Sequence, residues 1–139
     1  MRRHKIPIDK VQEAFNSAIK RRDGRCMVWD YEPCCGDLEC SHFHSVGSSP
    51  SLRFYPANAY AQCQKHHRKH HNDRRCRCWY ENWMKQNHLE DYDKMILLRN
   101  RYIKYDDDLK SEIIRLCNAD KLDELKELIE GELKWMSLR

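Results

Sequence analysis

An α+β fold is predicted by three features: helical periodicity near the start, its loss across the stretch from Cys26 to about Asn58, and its return toward the end. Residues 9–22 place Val11, Ala14, Phe15, Ala18 and Ile19 on one helical stripe, with Asp9 as N-cap, Gly24 past the end and an opposite face rich in Lys and Arg. Pro33, Gly36, Gly47, Pro50 and Pro56 then cut the chain into short extended pieces. A β-hairpin is expected there, with one strand near residues 38–44, a loop through 46–51 and a second strand near 52–55. Residues 58–72 read as a loop entering a helix, and a second helix follows near 77–88. Beyond it lie three amphipathic stripes. The first is Tyr92, Met95, Ile96, Arg99, Tyr102 and Ile103; the second Leu109, Ile113, Leu116 and Cys117; the third Leu122, Leu125, Leu128, Ile129, Leu133 and Met136. Asp91, the run Asp106–Asp108 and Asp120 put negative charge where each of these helices would begin.

At 139 residues and 16.9 kDa the chain fits one domain, 1–139, whose modest core a bound metal would supplement. Its charge is uneven: residues 1–89 hold 16 Lys and Arg against 9 Asp and Glu, residues 90–139 hold 10 against 13. A basic front half suits a polyanionic partner, since phosphates are met by Lys and Arg with release of counterions. No apolar run approaches the roughly 20 residues that span a bilayer, so no membrane partner is expected. The opening MRRHKIPIDK lacks the apolar stretch of a secretory signal, and a reducing cytoplasmic setting is expected.

In that setting eight cysteines interleaved with histidines read as metal ligands before they read as disulfides. A structural zinc takes four thiolate or imidazole ligands, commonly as two close pairs. Cys63 and His66 form one pair; Cys26 with Cys34 or Cys35 forms the other, across a loop containing Trp29 and Pro33, and Cys40 is a further candidate. Cys117, in an apolar stripe, reads as a small buried hydrophobe. Cys76 and Cys78, one residue apart, are too close for a usual ligand pair.

On a helix, residues four apart share a face and one step turns a side chain by about 100°. His66 and His70 therefore point one way, His67 and His71 another. This lets His66 face a zinc while His67 and His71 grip a second metal from positions i and i+4, as in the helical zinc-protease motif. Hydrolysis of a phosphodiester needs an activated water and stabilised charge, which a neutral histidine and a divalent metal supply. His42, on the first strand, is the expected general base; His44 shares its strand face and is placed to join the metal or touch DNA.

The segments LECSHF, SLRFYPANA and QCQKHHRKHH together resemble the motif of the ββα-metal, or HNH, nucleases, and in particular the phage recombination nucleases of the NinG/Rap type. YENWMKQNHLEDYDKMILLR resembles the tail that follows it. The likeness covers about residues 24–100. It implies a zinc-stabilised ββα core over 24–89 with a helical extension over 90–139, and a hairpin and helix surrounding one divalent ion, Mg²⁺, Mn²⁺ or Zn²⁺. It implies His42 as base, Asn58 as the residue that orients it and His67 as a metal ligand. Ser41 stands where many such nucleases carry a ligand, and His71 or His44 would substitute. It further implies recombination intermediates or other branched DNA as substrate, and a phage or prophage gene expressed in a bacterial host.

DNA contacts are expected from Arg53, Lys65, Arg68, Lys69, Arg74, Arg75 and Arg77, with Lys20, Arg21, Arg22 and Arg25 extending the basic surface, all positioning phosphates without reading bases. Trp79, Tyr80 and Trp83 read as packing residues. A noncatalytic zinc-dependent DNA-binding module is the rival reading: it accounts for the cysteines and the basic surface but not for His42, Asn58 and His67 together. An RNA-directed nuclease is a third.

Overall fold

The computed structural model describes residues 5–28 and 32–137, the last four of these by backbone alone. Their order is α1 (Ile8–Asp23), β1 (Leu38–His42), β2 (Ala59–Cys63), α2 (Gln64–Asn72), α3 (Arg74–Asn87), α4 (Leu89–Leu98), α5 (Asp107–Asn118) and α6 (Leu122–Ser137), with 3₁₀ turns at Pro50–Leu52 and Pro56–Asn58. Among the described residues this is an α+β architecture of six helices and one two-stranded antiparallel sheet. Trp29, in the loop between Cys26 and Cys34, lies outside the described residues, and so does the side chain of Met136 at the end of the last stripe.

α1 buries Val11, Phe15, Ala18 and Ile19, the stripe read from the sequence, and ends at Gly24 in the left-handed region, φ 68°. Asp9 is not its N-cap: Pro7 holds that position, with φ pre-set for helix entry, and Asp9 sits in the first turn where it meets the helix dipole. α5 is capped as its sequence requires, with Asp106 accepting from the Leu109 N–H at 2.9 Å. Asp120 starts no helix: it is a turn residue at φ 56°, and α6 begins two residues later.

The second strand lies elsewhere than expected. β1 pairs with residues 59–63, in register Leu38↔Cys63 to His42↔Ala59, and residues 52–55 form no strand. Pro50 and Pro56 each open a 3₁₀ turn, which suits a fixed φ and a missing N–H. The apolar residues between them, Leu52, Phe54 and Tyr55, are fully buried as core. The stretch read as a loop entering a helix therefore contains β2, which runs into α2 without a spacer.

α4 also departs from its expected stripe. It stops at Leu98, so the 3.6-residue period cannot carry through to Tyr102. Met95 and Leu98 face inward, whereas Ile96 is 43% and Tyr102 65% exposed. Ile103 still reaches the core, delivered by irregular chain beyond the helix.

Front and back of the chain share one apolar cluster, drawn from Phe15, Phe54, Tyr55, Tyr80, Met95, Ile113 and Leu133 among others. α1 packs on α5 and on both strands. Arg22 fastens the sheet from outside, donating to the carbonyls of Pro56 (3.0 Å) and Ala59 (2.7 Å) with its guanidinium 4.9 Å over the Tyr60 ring. Asp23 accepts from Ala61 N–H at 2.8 Å, and the Met27 N–H donates to Ala61 O at 2.8 Å. The outer edge of β2 is thereby paired, which removes a template for aggregation.

The Tyr55 hydroxyl donates to Glu130 Oε1 at 2.6 Å, and Lys94 reaches the same oxygen at 3.2 Å, joining the 50–58 segment, α4 and α6. Burial opposes ionisation of Glu130, but the Tyr55 and Lys94 donors outweigh it and hold the carboxyl below its ordinary 4.5. A depressed carboxyl stabilises the fold fully above its unfolded pKa and loses that contribution as pH falls through the folded value. Glu130→Gln should therefore cost about 1 kcal/mol at pH 7, where neutral bonds replace charge-assisted ones. In urea unfolding, the gap between the two proteins should close as pH drops below 4.5; a gap that widens there refutes the assignment.

Candidate functional site

The junction of β2 and α2 brings Cys26, Cys34, Cys63 and His66 together, with their ligand atoms all within 4.8 Å of one another. Zn–S bonds of about 2.3 Å and Zn–N bonds of about 2.1 Å at tetrahedral angles put sulfurs about 3.8 Å apart and sulfur about 3.6 Å from nitrogen. His66 Nδ1 lies 3.3 Å from Cys26 Sγ and 3.8 Å from Cys34 Sγ, on either side of that spacing. The four residues can hold a structural metal such as zinc. Cys34, not Cys35 or Cys40, completes the set.

Local chain geometry builds this arrangement. Cys63 ends β2, caps α2, and its sulfur accepts the His66 N–H at 3.5 Å. Facing it, Gly36 turns the chain at φ 87°, where an added Cβ would come within 2.8 Å of Gln64 Cβ. That turn lets Cys35 O accept from Lys65 N–H at 3.2 Å and Asp37 O from Gln64 N–H at 3.0 Å. Burial works against ionisation of Cys63, yet the N–H groups of His66 and Cys35 and the thiols of Cys34 and Cys26 win and lower its pKa. Cys34 is pushed up to about 11 by burial and then by its cysteine neighbours. Sulfurs this close repel when ionised, and a divalent cation removes that penalty.

Cys40 lies apart from the cluster on β1, its thiol pushed up to about 12 by desolvation, and Cys76 and Cys117 are buried. Among the described residues no other group of three or more metal-binding side chains converges.

A second arrangement lies on the other faces of α2. His67 Nδ1 is 3.1 Å from Glu39 Oε1, and His67 Nε2 is 3.0 Å from His71 Nε2. His67 thus turns Nδ1 to the carboxylate and Nε2 to His71. A cleft of about 420 Å³ is lined by His42, Phe43, His44, Ser45, Ser48, His70, His71, Arg77 and Glu81, while His67 and Glu39 line another of about 450 Å³ with Asn16, Lys20 and Gln64.

His42 donates Nε2–H to the Arg53 carbonyl at 2.9 Å, which leaves Nδ1 as the basic nitrogen. Its ring stacks on Phe15, 5.8 Å between centroids and 18° from parallel. Burial lowers its pKa, the Arg53 carbonyl opposes, and the charges of Arg53 and His67 add to the lowering, so the ring is neutral at pH 7. Burial likewise lowers His44 and brings His70 to about 4. Among the described residues, His44 Nε2 and His70 Nδ1 are buried without a hydrogen-bond partner.

Asn58 is fully buried and spends its side chain on backbone: Oδ1 accepts from His44 N–H (2.8 Å) while Nδ2 donates to His44 O (3.0 Å) and Leu52 O (3.2 Å). It thus holds the end of β1 against the segment that presents the Arg53 carbonyl, positioning His42 without touching its ring.

The expected phosphate contacts divide. Arg68 and Arg74 are exposed on α2 and α3. Lys65 and Lys69 both pair with Glu32, whose carboxyl they hold down to about 2. Arg75 meets Asp73 at 3.5 Å, Arg21 meets Asp120 at 2.8 Å, and Arg53 donates to Gln12 Oε1 at 2.7 Å. Sequence reasoning missed Glu39 and His70. An acidic residue three before His42 was the available signal for the first; His70 had none, because its place under Tyr80, 4.8 Å between ring centroids, is set by α3.

No known family model matches the chain, and neither the curated proteins nor the solved structures contain a significant match. No helix among the described residues is long and apolar enough to cross a membrane. Metal analysis tests the cluster directly: purified protein should carry one tightly held zinc per chain, retained in Cys35→Ser but lost in Cys34→Ser and Cys63→Ser. The two metal-free variants should melt about 10 °C lower or more. Equal zinc content in Cys34→Ser and wild type would overturn the ligand set.

Proposed function

We propose that the protein is a metal-dependent DNA endonuclease of the HNH class, its core held by the cysteine–histidine zinc centre and its chemistry carried out in the histidine-lined cleft. The observation that carries this reading is the fixed tautomer of His42. A ring kept neutral by burial, with Nε2–H donated to a carbonyl 2.9 Å away, offers Nδ1 to take a proton from water.

The pair His67 and His71 supports a cation beside it. Two imidazole nitrogens bound to one ion at about 2.1 Å and a right angle stand about 3.0 Å apart, and these two do. Glu39 on His67 Nδ1 is the outer carboxylate that metal-ligating histidines usually have, fixing the tautomer and raising ligand basicity. His67 and His71 would hold a divalent ion, which would supply positive charge to the phosphodiester. His42 draws the proton from the attacking water, Asn58 keeps the His42 strand in place, and Arg68, Arg74 and Arg77 meet neighbouring phosphates. Recombination or branched DNA as the substrate, and a phage or prophage origin, follow only from the resemblance.

A zinc-dependent binding module needs none of these histidines, so substitution separates the two. In a plasmid-nicking assay with Mg²⁺ or Mn²⁺, wild type should cut and His42→Ala should cut about 10²- to 10⁴-fold more slowly with unchanged DNA binding. Glu39→Gln should raise the metal concentration needed for half-maximal cutting by about 10- to 100-fold. Wild type that binds DNA but cuts no duplex, nicked or four-way-junction substrate at any metal concentration would leave the binding module as the answer. Preference for RNA in the same assay would favour the RNA-directed enzyme.

A further inference from the structure

One stretch of the back half departs from its acidic character: residues 94–105 contain Lys94, Arg99, Arg101 and Lys104 and no Asp or Glu. Past Leu98 this stretch leaves α4 through a turn and runs without helix or strand to α5. Its inward residues pin it down. Ile103 is buried, and the Tyr105 hydroxyl donates to Pro50 O at 2.7 Å while its ring meets Phe54 edge-on at 5.1 Å. Exposure alternates along it, with Tyr102 and Lys104 turned outward on either side of Ile103. Tyr102 is 65% exposed, between Arg101 and Lys104 in sequence, with Arg99 also exposed.

This segment is tied to the loop whose Ser45 and Ser48 line the histidine cleft. The Ser51 hydroxyl donates to the carbonyls of Leu98 and Arg99, each at 3.1 Å, tying the segment to the same loop that presents the Arg53 carbonyl to His42. The Arg99 charge reaches His44 on the cleft wall and adds to the lowering of its pKa.

Cations alone would suit any polyanion. An exposed ring flanked by them in sequence on a pinned backbone asks for a flat apolar face as well, and a closed duplex presents phosphates but no free base face. An unpaired nucleotide presents both. We propose that Tyr102, with Arg99, Arg101 and Lys104 beside it in sequence, is a stacking platform for an unpaired base of a nucleic-acid strand whose neighbouring phosphates enter the histidine cleft. The inference rests on the nucleic-acid reading above and adds the form of strand preferred and the residues that select it.

Fluorescence anisotropy of the zinc-loaded full chain, with Ca²⁺ in place of a cleavage-supporting ion, tests this on oligothymidine of about 20 nucleotides and on a duplex of the same length, a span that covers a single-strand site. Tyr102→Ala should weaken oligothymidine binding by about fivefold or more and leave duplex binding unchanged, while Tyr102→Phe should bind like wild type. Arg101→Ala should weaken both and flatten the salt dependence. Tyr102→Ala indistinguishable from wild type on oligothymidine, or equally weakened on duplex, overturns the platform alone. Wild type that binds neither oligonucleotide overturns the nucleic-acid reading together with it.

Discussion

Cys63 occupies the point where β2 stops and α2 starts, and it is at once the last residue paired in the sheet, the cap of the helix and a sulfur of the cysteine–histidine cluster that can hold a metal. Because no spacer separates strand from helix, fixing that residue fixes the rotation of α2 about its axis. His66, three residues on, is then committed to the sulfurs. His67, about 100° further round, is committed to Glu39, and His71, one turn later, to His67. The geometry of the α2 histidines descends from a single turn of chain held by Gly36 and Cys34 on one side and Cys63 on the other.

His42 is held differently. His42 depends on a carbonyl supplied by the long connection between the strands, a segment with no ladder of its own. Two 3₁₀ turns, each opened by proline, and the three side-chain bonds of Asn58 give that connection its shape. Leaving a buried group unpaired costs about 1–3 kcal/mol, so Asn58 is exacting about the backbone groups it meets. Leu52, Phe54 and Tyr55 bury themselves in the common core and hold the connection down. A loop becomes a rigid part of the site through packing.

These two mechanisms separate what the sequence reveals from what it conceals. Helix faces are legible because a 3.6-residue period is local: α1, α5 and the described part of α6 bury most of the residues their patterns indicate. The ligand pair Cys63 and His66, three positions apart across a helix start, is local too. The choice of Cys34 over Cys35 depends on which way the Gly36 turn faces a residue 27 positions further along, and spacing carries no such information. The misplaced strand has a related cause. SLRFYP is apolar enough to read as a strand, but its proline boundaries and its burial on more than one side suit turns in a core, while AYAQC looks too plain and is buried throughout. Glu39 acquires meaning only when β1 is laid beside α2.

On the proposed reading, one helix serves two cations of different character. Thiolates favour zinc, whereas a pair of imidazoles suits borderline divalent ions and would hold Mg²⁺ or Mn²⁺ only with water and phosphate oxygens completing the shell. Discrimination between the two positions then comes from donor chemistry, with the sulfurs on one face of α2 and the imidazole pair on another. Such a division lets the structural ion stay in place through folding and turnover while the other exchanges with solvent. It also explains a division of labour among the basic residues. Lys65 and Lys69 share the single carboxylate of Glu32, whereas Arg77 lines the cleft and Arg68 and Arg74 stand exposed on α2 and α3. On the proposed reading a polyanion meets Arg77 at the same cleft as His42 and His71, so attraction and chemistry share one side of the molecule.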